Sequence, residues 1–144
     1  MFAVDTNLLL HAVNPDSPDH VKAKAFLEEW RAGAESWYLT WGTVYEFLRV
    51  ATHRSVFPDP IDLASARGWI AAVIGSPPCG LLVETDRHSE VLEELSRLHP
   101  RVSGNLVHDF HTAVLMKEHG IAEIRTADTD FHQFPFLRVV NPLV

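Results

Sequence analysis

The sequence predicts an α/β fold in which a mainly parallel sheet is covered by helices on both faces. Short apolar runs of strand length alternate along the chain with longer segments of helical periodicity. Glycine and proline separate these segments at the places where helices are expected to stop. The chain has 144 residues, and we expect residues 1–144 to form a single domain with one core. Strands that alternate with helices pair in parallel, through right-handed crossovers.

The first third of the chain predicts two strands and two helices. Residues 2–4 are apolar and predict a buried strand that ends at Asp5, and residues 7–13 predict a helix. Ser17 is expected to cap the next helix, with Pro18 at its first position. The apolar positions of that helix, at helical spacing, are Val21, Ala25, Phe26 and Trp30. Residues 36–40 predict the second strand.

The rest of the chain continues the alternation. Helices are predicted over residues 42–53, 61–74, 87–99 and from about 104 to 119, and strands over residues 80–83, 122–126 and 137–140. Gly75 and the Pro77-Pro78 pair end one helix, and Gly120 ends the last one. The residues expected inside are Val44, Phe47, Leu48 and Ala51 in the first of these helices, and Val91, Leu92, Leu95 and Leu98 in the third.

Composition excludes several classes of protein. The formal net charge is -7, which argues against binding nucleic acid through a broad basic surface. The single cysteine, Cys79, excludes an intrachain disulfide framework and a cysteine zinc cage. The amino terminus lacks the pattern of a signal peptide, and no apolar stretch is long enough to span a membrane. We therefore expect a cytoplasmic protein that makes no membrane contact.

Five acidic residues occupy positions where exposure to solvent does not explain an acidic side chain. Asp5 follows an apolar strand, Glu46 has apolar neighbours, and Asp109 opens a helix, while Asp128 and Asp130 follow the fourth strand. The carboxyl ends of parallel strands share one edge of a sheet, and that edge holds the ligand crevice. The sequence therefore predicts that these acids meet in one cleft.

Such a cleft needs a source of positive charge. Two like charges about 4 Å apart repel by roughly 4 kcal/mol at an effective dielectric constant of about 20. The repulsion is relieved by a raised pKa, by a nearby Arg or Lys, or by a divalent cation. Oxygen ligands alone favour Mg²⁺ or Mn²⁺, and a hard cation in an open carboxylate cleft supports cleavage of a phosphodiester. An acidic protein can in this way cut an anionic polymer.

Each acid also has a structural explanation. Asp5 is suited to cap the following helix, and Asp109 to interact with the helix dipole. Glu46 and Arg49 are spaced for a surface ion pair of little energetic value. Asp128 and Asp130 are common turn residues. What favours a functional site is the combination of all these acids at the positions that an alternating fold brings together.

The motifs around these acids resemble the PIN-domain ribonucleases and, more narrowly, the VapC toxins of bacterial toxin–antitoxin pairs. The resemblance rests on four segments in order, which cover nearly the whole chain. They are Val4-Asp5-Thr6-Asn7, Glu46 to Val50 (EFLRV), Asp109 near the start of a long helix, and Thr126 to Phe131 (TADTDF) before the last strand. It implies a three-layer α/β/α sandwich, RNA cleavage with Mg²⁺ or Mn²⁺, and a cognate VapB-type antitoxin.

The resemblance also implies roles for individual residues. Asp5 and Asp109 match the metal-binding acids, Glu46 matches the acid on the second helix, and Asp128 matches the fourth acid, with Asp130 as its possible substitute. These acids are the predicted catalytic and metal-binding residues. Further supporting residues are expected beside them: Thr6, Asn7, Arg49, Asn105 and Thr126.

Other functions compete with this interpretation. His108-Asp109 and His111 suggest an HD-type phosphohydrolase, but that class is all-helical. A receiver domain needs an acidic pair after the first strand and a late lysine, and neither is present where needed. A non-catalytic module that binds a basic partner segment in the same acidic cleft stays open. The aromatic residues exceed what we expect to be buried, so some are expected in a homodimer or an antitoxin contact: Trp30, Trp37, Trp41, Phe134 and Phe136.

Overall fold

The computed structural model describes all residues from 1 to 144 and confirms the predicted α/β fold. Strands and helices alternate along most of the chain, with a short 3₁₀ helix before the last strand. The elements are β1 (Phe2–Val4), α1 (Thr6–Val13), α2 (His20–Ala32), β2 (Trp37–Thr40), α3 (Trp41–Ala51), α4 (Leu63–Ile74), β3 (Cys79–Leu82), α5 (His88–Leu98), α6 (Leu106–His119), β4 (Glu123–Arg125), the 3₁₀ helix (Asp130–Gln133) and β5 (Arg138–Val140).

The sheet has five strands in the order β3-β2-β1-β4-β5, and all neighbours are parallel. The chain first builds outward from β1 through β2 to β3, and then returns to the other side of β1 to add β4 and β5. The order therefore reverses between β1 and β4, where Ala3 pairs with Ile124. In open parallel sheets, ligands bind at the carboxyl ends of the strands beside such a reversal.

The core has one part on each face of the sheet. Phe2 and Val4 point to the face covered by α1 to α4, and Ala3 points to the face covered by α5 and α6. Because successive side chains of a strand alternate between faces, these three residues of β1 contribute to both layers. The arrangement is the predicted three-layer α/β/α sandwich.

Helix α2 begins two residues later than predicted. Its N-cap residue is Asp19 rather than Ser17, and Pro18 lies in a turn outside the helix. The Ser17 hydroxyl accepts a hydrogen bond from the Asp19 backbone N–H at 3.2 Å and also contacts His11 Nδ1 at 2.7 Å. Ser17 therefore stabilises the turn between α1 and α2, which is where its side chain is needed.

Several predicted apolar faces are rotated or narrower than expected. In α2, Val21 and Ala25 are exposed, and the buried residues are Ala23, Leu27 and Trp30. In α5, Leu92 and Leu98 are exposed because only the stripe formed by Val91 and Leu95 is buried in this helix. Helical spacing identifies an apolar stripe, but the packing partner decides how wide a stripe is covered.

Most of the aromatic residues considered for partner contacts lie in the core. Trp30, Trp37 and Phe134 are buried, and Phe136 is half-buried, which leaves Trp41 exposed. These side chains are accommodated because the sheet separates two hydrophobic clusters, each with its own aromatic residues. No helix in the structure combines the length and the apolar character needed to cross a membrane.

Candidate active site

The five acids noted in the sequence meet in one open cleft at the carboxyl end of the sheet. Asp5 follows β1 directly, and its backbone N–H donates to the Arg125 carbonyl at the end of β4 at 3.0 Å. The cleft has a volume of about 510 Å³. Its lining residues are Asp5, Thr6, Asn7, Leu10, Glu46, Arg49, Asn105, Leu106, His108, Asp109, Asp128 and Asp130. The reversal of strand order thus creates the space into which these side chains project.

The Asp5 carboxylate is held by three hydrogen bonds. The Thr6 backbone N–H donates to Oδ1 at 2.7 Å, as expected for an N-cap residue of α1. Asn7 Nδ2 and Thr126 Oγ1 both donate to Oδ2, at 2.8 Å and 2.7 Å. Asp5 is therefore both a helix cap and a fixed cleft residue, so the structural and functional interpretations of this residue are compatible.

Thr126 connects Asp5 to the loop that follows β4. Its buried hydroxyl donates to Asp5 and accepts hydrogen bonds from Asn7 Nδ2 at 3.0 Å and from the Asp128 backbone N–H at 2.9 Å. The Asp128 carboxylate then accepts from the Asp130 backbone N–H at 3.1 Å, just before the 3₁₀ helix. One threonine thus orders the end of β1 and the loop that carries the last two acids.

Glu46 reaches the cleft from α3. Thr6 Oγ1 donates to Glu46 Oε2 at 3.1 Å, and Arg49 Nη2 lies 3.9 Å from Glu46 Oε1. The ion pair is long and exposed, so it stabilises the fold little and leaves the guanidinium able to move. Arg49 is the only lysine or arginine that lines the cleft, against five carboxylates.

The local environment strongly disfavours ionisation of two of the acids. Burial raises the pKa of Asp5 to about 6, with smaller contributions from the charges of Glu46 and Asp128, although its hydrogen bonds oppose the shift. Burial also raises the pKa of Asp109 to about 7, together with the charges of Asp5, Asp130, Glu46 and Asp128. The Asp109 carboxylate accepts no hydrogen bond that would offset this shift. Its ionised form therefore needs a positive charge nearby.

The donor atoms in the cleft suit a hard divalent cation. Carboxylate oxygens dominate the lining, and no cysteine is among the lining residues. Of the ten candidate residues named from the sequence, nine line the cleft, and the tenth, Thr126, bonds to Asp5. Asp128 and Asp130 both line it, so the structure keeps both as candidates for the fourth acid.

Sequence reasoning missed three of the residues that line the cleft. Leu10, Leu106 and His108 also line the cleft, and only His108 had a signal, its position next to Asp109.

Comparisons with known proteins agree with this architecture. The family model described as PIN domain matches residues 2–137. Ribonuclease VapC48 of Mycobacterium tuberculosis is 34% identical over 139 residues, covering 96% of this chain and 94% of the relative. Ribonuclease VapC37 of the same species is 33% identical over 142 residues, covering 99% of this chain and 97% of the relative.

Solved structures show the same fold at lower sequence identity. The crystal structure of Mycobacterium tuberculosis VapC20, described as a Sarcin-Ricin loop cleaving toxin, superimposes with a TM-score of 0.64 at 20% identity, covering 92% of this chain and 93% of that one. VapBC2 from Rickettsia felis, solved with a promoter DNA fragment, gives a TM-score of 0.68 at 13% identity, with 97% of each chain covered. This chain belongs to the PIN-domain family. Within that family, the chain is similar in sequence to ribonucleases of the VapC type.

Proposed function

We propose that this protein is a metal-dependent endoribonuclease and acts as the toxin of a VapB–VapC-type pair. The observation that carries the proposal is the meeting of five carboxylates in one cleft, two of them with strongly raised pKa values. The membership of the PIN-domain family and the ribonuclease names of the relatives support the same activity. RNA, an anionic polymer, is the substrate.

Asp5 and Asp109 are proposed to hold Mg²⁺ or Mn²⁺, with Glu46 and Asp128 or Asp130 completing the site. When bound, the cation supplies positive charge that activates water and offsets the charge of the phosphodiester. Asp5 is fixed in orientation by its three hydrogen bonds, whereas Asp109 is free of them and is available as a ligand. The rigid and the free carboxylate therefore have complementary roles in the cleft.

The remaining cleft residues position these groups and the RNA. Thr6 holds Glu46 through a hydrogen bond. The Glu46 carboxylate is placed to accept a hydrogen bond from a water molecule and so to orient it. Arg49 is exposed and paired only at 3.9 Å, so its guanidinium is available to a phosphate of the RNA. Asn7 links Asp5 to the loop after β4, and Asn105 lines the cleft just before the helix that carries Asp109.

The partner that neutralises the protein is proposed to be a VapB-type antitoxin. Similar solved structures include VapBC2 from Rickettsia felis and FitAB, each bound to a DNA fragment. An excess of carboxylates over cations in the cleft favours a basic side chain, arginine above all, as the inhibitory group. Trp41 is half-exposed and remains available for the contact with the antitoxin or for the predicted homodimer.

The test is an RNA cleavage assay on the purified chain with Mg²⁺, Mn²⁺ or EDTA, followed by sequencing of the new 5′ ends. Defined 5′ ends that appear only with a divalent cation are the expected result. A chain that binds a basic peptide tightly but yields no metal-dependent ends is instead a non-catalytic interaction module. That outcome would overturn the proposal while leaving the family assignment intact.

Thr126→Val tests the support of the Asp5 carboxylate. The substitution keeps the shape of the side chain but removes the hydroxyl that donates to Asp5 and accepts from Asp128. We expect cleavage to fall by about 10- to 100-fold, the usual effect of losing a group that orients a metal ligand. The measurement is the initial rate at saturating Mg²⁺.

Thr43→Val is the matched control for this substitution. Thr43 is also buried, but its hydroxyl bonds to Thr40 and contacts no acid of the cleft. We expect a similar loss of stability in both variants and a loss of activity only in Thr126→Val. Equal rates for the two variants would show that Thr126 contributes to the fold alone.

A further inference from the structure

A second group of ligand-type side chains lies on the other side of α6 from the acidic cleft. Glu84 follows β3, His88 begins α5, and His111 lies in α6. One ligand atom from each of these residues lies within 4.8 Å of the other two. Asp109 and His111 are two residues apart, which turns their side chains by roughly 200° around the helix. Neither His88 nor His111 lines the acidic cleft.

The buried Glu118 controls the orientation of His88. Its carboxylate is fully buried, and Oε2 lies 2.7 Å from His88 Nδ1. Because His88 Nδ1 is engaged with this carboxylate, Nε2 is the ring nitrogen that is left to bind a metal ion.

Glu118 is itself held in place. The Thr85 backbone N–H and hydroxyl both donate to its Oε1 atom, so this carboxylate is bonded to the segment between β3 and α5 as well as to the first residue of α5. A buried carboxylate behind a histidine is the arrangement that fixes the ring of a metal ligand in many proteins. On the open side, His111 Nε2 lies 3.1 Å from Glu84 Oε1, and both side chains are accessible to solvent.

We propose that Glu84, His88 and His111 form a Zn²⁺ site that is separate from the acidic cleft. Two imidazoles and one carboxylate are the three protein ligands of an open tetrahedral zinc site, with water in the fourth position. In such a site the ligand atoms lie about 3.3 Å apart, since zinc bonds to nitrogen and oxygen are about 2.0 to 2.1 Å long. The distance of 3.1 Å between Glu84 Oε1 and His111 Nε2 is close to this value.

The two sites select different cations. Imidazole nitrogen favours Zn²⁺ over Mg²⁺ and Mn²⁺, whereas the oxygen-rich cleft has the opposite preference. A bound Zn²⁺ links the segment after β3 and the first turn of α5 to α6, the helix that carries Asp109. The ion is therefore expected to stabilise the native state by binding it in preference to the unfolded chain.

The test is calorimetric titration of the full chain with Zn²⁺ in excess Mg²⁺, which occupies the acidic cleft. The variants are His111→Ala and His88→Ala, and the control is His53→Ala, since His53 is an exposed histidine just after α3. We expect one equivalent of Zn²⁺ to bind the native chain and the control, and at least about tenfold weaker binding in both variants. Co²⁺ in place of Zn²⁺ is expected to give the intense visible bands of tetrahedral coordination, which the variants lose.

His111→Ala is the more informative variant, because His88→Ala also removes the hydrogen-bond partner of the buried Glu118 Oε2 atom and costs stability. Glu118→Gln adds a further measurement, since it keeps the shape of the side chain but removes the charge that orients His88. We expect about 10- to 100-fold weaker Zn²⁺ binding in this variant. Unchanged Zn²⁺ affinity and Co²⁺ spectra in His111→Ala would overturn the proposal, whatever the ribonuclease activity of the chain.

Discussion

Asp109→Asn is expected to reduce metal-dependent RNA cleavage by at least about a thousand-fold. The substitution removes one negative charge from the cleft and keeps the size of the side chain. A charge interaction worth about 4 kcal/mol near a protein surface corresponds to about a thousand-fold in rate. The side chain makes no hydrogen bond that asparagine would break, so the fold is expected to survive. The measurement is the rate of appearance of new RNA ends at saturating Mg²⁺.

Asp59→Asn is the matched control, because Asp59 is an exposed acid that does not line the cleft. Circular dichroism and thermal unfolding establish that both variants fold. We expect the control to cleave RNA at the native rate. A mock purification excludes contaminating ribonuclease. Full activity in Asp109→Asn after this control would contradict the proposed function.

Divalent cations are expected to stabilise this protein at pH 8 and to have little effect at pH 5. The pKa values of Asp5 and Asp109 are raised from 3.8 to about 6 and about 7. A raised pKa contributes stability that is fully present below the unfolded value, near pH 3.8, and that is lost as the pH rises through the folded value. Metal-free protein therefore loses stability as the pH rises from about 4 to above 7.

For Asp5 the shift corresponds to about 3 kcal/mol. Asp109 is more open to solvent, and screening reduces its contribution to about 1 to 2 kcal/mol. A divalent cation binds the ionised carboxylates, so it restores this stability at pH 8, where both acids are charged. At pH 5 protons occupy the same positions and compete with the cation.

The measurement is the Tm in EDTA and in Mg²⁺ at both pH values, for the native chain and for Asp109→Asn. In EDTA at pH 8 the variant is expected to be more stable by about 1 to 2 kcal/mol, which raises Tm by about 3 to 8 °C. The native chain is expected to gain more from Mg²⁺ than the variant does. A variant that is less stable than the native chain at pH 8 in EDTA would show that the ionised Asp109 carboxylate does not destabilise the fold.

Much of the architecture was predictable because the signals for strands and helices are local. Every predicted strand and helix is present, and most boundaries differ by no more than two residues. The 3₁₀ helix at Asp130–Gln133 was missed, since four residues are too few for a periodic pattern. The N-cap of α2 was also misplaced, because Ser17, Pro18 and Asp19 all favour a helix start and the contact with His11 decides among them.

The residues of the candidate site differ in how much information was needed to predict them. Asp5 and Asp128 follow from the rule that parallel strands end at a common edge. Glu46 and Asp109 needed the family motif as well, because helical spacing alone also allows a surface ion pair or a dipole interaction. The group formed by Glu84, His88 and His111 had no local signal, since His111 is far along the chain from the other two and lies on a different helix.

The order of apolar and polar residues along the chain was enough to establish the alternating fold and to single out the five acids, because strand and helix formation depend on neighbours in sequence. Only the folded structure decided which face of each helix is covered, that β4 returns to the side of β1, and that Thr126 joins Asp5 to the loop of Asp128. The contact of Thr126 with Asp5, for example, joins residues that are 121 positions apart. No local pattern encodes such a contact, since it exists only once β4 has paired with β1.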